Sequence, residues 1–107
     1  MSDNIPQQPI SANQLDNIRN RLSNTYNGIR NVPTLYSNID VLSHNSIIVI
    51  RDMNSWAEGI GMLEAFSTQF NDKTKHLHLY NIGLSNDLLN KIITLTTQLN
   101  IQLTIEQ

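Results

Sequence analysis

The sequence predicts an α/β fold: an N-terminal amphipathic helix, then β-α-β-α-β with a small, mainly parallel sheet. Three observations predict it. The run "SIIVIR" (46–51) is continuously apolar and β-branched over its four central residues, as in a strand buried on both faces. Two more strand-like runs follow, "KHLHLY" (75–80) and "IQLTIEQ" (101–107). Between successive strands lie helix-period stretches of about 15 residues, which require parallel strands joined by right-handed crossovers.

Taken in order, residues 1–10 hold two prolines and two glutamines and read as a disordered lead-in. Residues 11–107 read as a single α/β domain. Ser11-x-x-Gln14 fits a capping box. Leu15, Ile18, Leu22, Tyr26 and Ile29 then recur at helical spacing, predicting a helix over 12–28. Gly28 suits the left-handed C′ position, and Pro33 bars further helix. The segment 32–45 is ambiguous between a loop with one turn and a poor strand around Ile39–Leu42.

A second helix is predicted over 56–71, with Trp56, Ile60, Leu63, Phe66 and Phe70 as its core stripe. Ser85 is placed to cap a third, with Asp87 in its first turn. That helix is apolar over more than half its girth. Leu89 and Ile93 lie off its Leu88/Ile92/Leu95/Leu99 stripe and need a second neighbour. The stripe of the N-terminal helix is the expected one.

Composition narrows the function classes. The chain has 107 residues, no cysteine and a net charge of −2. Without cysteine there is no thiol catalysis, cysteine zinc site or disulfide, and a reducing, cytoplasmic setting is favoured. No apolar run approaches the roughly 20 residues that cross a bilayer, and "MSDNIPQQPI" has no secretory pattern. The negative charge supplies no long-range attraction for nucleic acid or anionic lipid, so neither is an expected partner. Another protein or a second copy is. The 15 asparagines against 3 lysines fit an AT-rich coding sequence.

Gly59 and Gly61 fall in the first turns of the second helix, which Ser55-x-x-Glu58 opens as a capping box. Each glycine costs about 1 kcal/mol against alanine and so needs a reason. One is close packing, in which case a methyl at Gly61 intrudes and Gly61→Ala lowers stability. The other is an anion seated at the helix start, with Asp52 and Ser55 beside it. Asp52 sits at a strand carboxyl end, where α/β proteins place ligand-contacting groups. With Glu58 and Asp87 it makes three carboxylates near one rim, suited to Mg²⁺, to acid–base work or, more often, to helix capping. Ser55 lacks a histidine base. Trp56 is read as core or core edge, with a binding anchor as the alternative.

His76 and His78 share one strand face without the three or four convergent ligands of a zinc site. They read as polar positions on its less buried side. No metal and no cofactor are expected. Arg19, Arg21 and Arg30 read as a solvated face. The expected binding residues are therefore Asp52, Ser55, Trp56, Glu58, Gly59 and Gly61, in a non-enzymatic interaction module.

The stretch "IIVIRDMNSWAEGIGML" resembles STAS domains, the anti-sigma-factor-antagonist class, over residues 46–107. There a buried strand leads into an Asp-Ser-Ser-Gly-Leu-Gly helix start, and Gly59-Ile60-Gly61 matches its end. In that family the serine before the first glycine is a phosphorylation switch. Glu58 stands there, so the resemblance implies a regulatory module with a fixed negative charge in place of the switch. "LHLYNIGLSNDLLNKI" is also similar to a leucine-rich repeat, with Leu77, Leu79, Ile82 and Leu84 on its pattern. Ile48-x-Ile50, Leu77-x-Leu79 and Leu103-x-Ile105 would be its repeating strands. Both resemblances imply binding rather than catalysis.

Overall fold

The computed structural model describes residues 10–81, 83 and 86–106. Residues 1–9 of the lead-in expected at 1–10, the cap at Ser85, and Ile82 and Leu84 of the repeat-like pattern lie outside the described residues, while Ile10, the last residue of that lead-in, is already helical. The α/β class is as expected: helix α1 (Ile10–Thr25), strands β1 (Ile29–Pro33), β2 (Asn38–Leu42) and β3 (Ser46–Asp52), helix α2 (Trp56–Phe66), strand β4 (Thr74–Tyr80), helix α3 (Asn86–Gln98) and strand β5 (Ile101–Ile105). The five strands form one sheet in chain order. β3-β4-β5 are parallel, while β1-β2 and β2-β3 are antiparallel. The expected parallel layer thus carries two antiparallel strands on one edge: β2 comes from the ambiguous segment 32–45, and β1 begins before it, at Ile29, which was expected on the helical stripe.

The stretch 29–42 is hard to read because its alternation is broken. Asn31 has a left-handed φ of 54° within β1. In β2, Ile39 joins the core under α2 whereas Val41 joins the core under α1. Between them the buried Asp40 carboxylate accepts the Ile50 N–H at 2.8 Å, where a regular ladder would use a backbone carbonyl.

The α1 C-terminus also differs from expectation. Asn27 takes the left-handed position (φ 55°), and the Gly28 N–H donates to the Ser23 carbonyl at 2.8 Å. This is the six-to-one bond of a Schellman motif, with asparagine at C′. Gly28 serves close approach instead: a Cβ there would lie 2.7 Å from Val41 Cγ1 and 3.0 Å from the Leu42 carbonyl oxygen. Ile29 has left the helical stripe and stands 68% exposed in β1. At the other end Ser11 is already helical, so it is no N-cap, and the Gln14 amide donates to Asn81 Oδ1 at 3.0 Å instead.

α2 stops at Phe66 rather than 71. The Ser67 and Thr68 hydroxyls donate to the Glu64 and Ala65 carbonyls at 2.8 and 2.7 Å, a local competition that favours helix ends.

Two cores result. Ile47, Val49, Leu63, Phe66, Leu77, Leu79 and Ile92 lie between the sheet and α2/α3. Ile18 and Leu22 of α1 cover Val41, Ile48, Ile50 and Tyr80 on the opposite face. The N-terminal helix therefore packs within the chain, but across the sheet from α3, and does not supply the neighbour expected for Leu89 and Ile93.

Candidate interaction site

The carboxyl ends of β3 and β4 bring together part of the expected site. Asp52 Oδ1 accepts the Asn54 N–H at 2.9 Å, starting a 3₁₀ turn over Met53–Ser55. Its Oδ2 accepts from Asn81 Nδ2 at 2.9 Å. Asn81 holds a left-handed φ of 58° and passes the chain on to Gln14. Asp52, Asn81 and Gln14 thus tie the β3 and β4 ends to α1. Ser55 makes no side-chain cap bond, so the expected capping box does not form. Trp56 is half-buried against the α2-side core. Glu58 accepts from Arg51 Nε at 2.9 Å instead of reaching back to the helix start.

The two glycines differ. A Cβ at Gly59 would lie 2.6 Å from Leu77 Cδ1 and 3.1 Å from Arg51 Cγ, so a side chain there must displace the fully buried Leu77. At Gly61 nothing lies within 4 Å, and the expectation that a methyl there would intrude does not hold. Gly61 shares the solvent face of α2 with Glu58, three residues earlier.

Beside this edge runs an ion-pair chain that the sequence reading missed. Asp40 accepts from Arg19 Nη2 at 2.9 Å and from Arg51 Nη1 at 3.1 Å, and its side chain is 8% exposed. Arg19 also pairs with Asp16 at 2.8 Å. Arg19 is therefore no part of a solvated face. The signal was an acid inside an apolar run, "IDVL" (39–42). Such a carboxylate needs partners when buried, and two arginines supply them. Burial raises the Tyr80 phenol above its ordinary pKa, and the Asp52 charge adds to this.

A second network spans β4, β5 and α1. His76 and His78 are buried, not on the less buried strand face as expected. Thr104 Oγ1 lies 2.7 Å from His76 Nε2 and 2.6 Å from His78 Nδ1. His78 Nε2 is 2.7 Å from Glu106 Oε1, and Arg21 Nη2 donates to both Glu106 oxygens at 2.7 and 2.8 Å.

One proton arrangement satisfies these contacts with neutral rings. His76 Nε2–H donates to Thr104, the Thr104 hydroxyl donates to His78 Nδ1, and His78 Nε2–H donates to Glu106. It leaves His76 Nδ1 buried and unpartnered among the described residues. Burial, helped by His78, pushes His76 down to about 4. Burial alone would raise Glu106, but the Arg21 and His78 hydrogen bonds hold it below the usual carboxylate range. Among the described residues, no group of three or more His, Cys, Asp or Glu is placed to hold a metal ion. None of their helices is long and apolar enough to cross a membrane.

No family model matches the chain and no solved structure matches it. Two curated proteins of Acanthamoeba polyphaga mimivirus are similar to it. The KilA-N domain-containing protein L33 is 38% identical over 71 residues, 66% of this chain and 28% of that protein. The KilA-N domain-containing protein R878 is 30% identical over 99 residues, 92% of this chain and 27% of that protein. The chain thus spans less than a third of the length of the curated relatives it matches. These relatives overturn the exclusion of nucleic acid from the partners, because KilA-N domains are of a nucleic-acid-binding type. The net charge describes the field of this chain alone; it does not limit what a longer protein carrying such a module engages.

Proposed function

We propose that this chain is a non-enzymatic regulatory module, working in the cytoplasm as part of a nucleic-acid-binding assembly of the KilA-N kind. One observation carries the reading: similarity to R878 runs over 92% of this chain but only 27% of that protein. The 99 shared residues amount to most of one α/β domain, matched within a protein described as carrying a KilA-N domain. The arginines fit a structural role. Arg19 and Arg51 are spent on Asp40, and Arg21 on Glu106.

The surface we assign to partner contact is the β3–α2 junction, with Asp52, Ser55, Trp56, Glu58 and Gly61 on it and Gly59 setting the helix height. Gly61 leaves bare helix backbone beside Glu58, which permits close approach by a partner. The STAS-like and repeat-like resemblances bear on the β3–β5 layer of the same reading, and the comparisons add no support to either.

The test is crosslinked isolation of the chain from cells that express it. Nuclease-sensitive recovery of nucleic acid is expected, lost in Gly61→Arg while the unfolding midpoint is kept. A complex with neither nucleic acid nor a nucleic-acid-binding protein would contradict the proposal.

A second reading rests on the Asp52–Asn81–Gln14 chain at the carboxyl ends of parallel strands, where small ligands bind in α/β folds. Thermal-shift screening with nucleotides and anions separates the two, since a specific ligand raises the melting temperature.

A further inference from the structure

The two edges of the sheet are built differently. β1 is blunted by Arg30, the left-handed Asn31 and Pro33, features that discourage further pairing. β5, "IQLTI", holds neither charge nor proline and is the other edge of the sheet among the described residues. The Glu106 N–H donates to the Leu79 carbonyl at 2.9 Å, and Leu103 and Ile105 stand opposite Leu77 and Leu79. By strand alternation Gln102, Thr104 and Glu106 turn their backbone groups toward β4. Ile101, Leu103 and Ile105 turn theirs outward.

The flank of α3 above that edge is also uncovered. Leu88, Leu95 and Leu99 pack into the α2-side core. Leu89 and Ile93 lie on the opposite flank, which a right-handed β4-α3-β5 crossover turns toward the free edge. Ile93 is 43% exposed and Ile105 38%.

We propose that β5 pairs with β5 of a second copy, antiparallel about a two-fold axis at Leu103, giving one continuous sheet with Leu89 and Ile93 of the two α3 helices brought alongside. The edge is self-complementary. Its outward groups are symmetric about Leu103, so Ile101 meets Ile105 of the other copy, and each such pair exchanges two backbone bonds. Gln102 meets Thr104, and Glu106 falls opposite Asn100, so no like charges face each other. Glu106 is in any case already neutralised by Arg21. A two-fold interface requires this self-matching; a charged peptide partner would find no counter-charge on β5. The inference rests on the edge geometry and is independent of the proposed function.

The experiment is sedimentation of the full chain over a concentration series, with amide exchange read at single residues. A dimer is expected, with exchange at Leu103 and Ile105 slowing as concentration rises while Gln102 and Thr104 stay slow throughout. Ile93→Lys, at an exposed position, is expected to weaken the dimer at least tenfold while the unfolding of the monomer is unchanged. A monomer at every concentration overturns the proposal. So does a dimer in which the Leu103 and Ile105 amides exchange freely, because its interface lies elsewhere.

Discussion

On one face of the sheet, α2 and α3 cover Ile47, Val49, Leu77 and Leu79 with side chains that are almost wholly carbon. On the other, α1 lies over Ile48, Ile50 and Tyr80 but is also tied down by Arg19 to Asp40 and by Arg21 to Glu106. Hydrophobic burial is non-directional and indifferent to pH, so the first face is set by shape and volume. Ion pairs need defined geometry and defined protonation, so the second has one arrangement and a pH range. The same strands thus carry a permissive face and a conditional one.

The largest effect is expected at Asp40. Asp40→Ala leaves the Ile50 N–H without its acceptor and two mostly buried guanidinium groups with only their outer carboxylates, Asp16 and Glu58. Removing one partner of a buried pair costs about 3–5 kcal/mol, read as a lower urea midpoint. A loss under about 1 kcal/mol, in the range of surface pairs, would place the α1 face on hydrophobic contact alone.

The two glycines probe the other face. Gly59→Ala drives a methyl against Leu77 and Arg51, and overpacking of this kind costs about 1–3 kcal/mol. Gly61→Ala meets open space and is expected to raise stability by up to about 1 kcal/mol through helix propensity. Equal effects at the two positions would refute the difference in packing. The sequence shows both as glycine in one helix turn. Only the approach of Leu77 separates them.

What was legible follows the same division. β3, β4 and β5 were visible, the first as a continuous apolar run and the other two as alternating ones. β1 and β2 were not. Their regularity is interrupted by Asn31 in a left-handed conformation and by Asp40 turned into the protein. The polar contacts of α1 were invisible for a related reason: Arg21 and Glu106 are distant in sequence, and only the fold makes them neighbours. The abundance of asparagine also has a structural component, since Asn27, Asn31, Asn81 and Asn100 all take positive φ. Asparagine tolerates that region better than other side chains.

Acid should separate the two faces. Burial holds His76 at about 4 in the folded chain, against the ordinary imidazole value of 6.5. Below about pH 6.5 the unfolded chain therefore binds a proton that the folded chain refuses, and stability falls until about pH 4. Glu106, held low by Arg21 and His78, loses its contribution as pH drops through its folded value. Both groups lie on the α1 face. The most direct test is residue-resolved amide exchange, expressed as protection factors, at neutral pH and at about pH 5. Loss of protection in α1 is expected while α2, α3 and the amides of Val49 and Leu77 keep theirs. Equal loss in all three helices, or none in α1, would contradict the division of the molecule into a permissive and a conditional face.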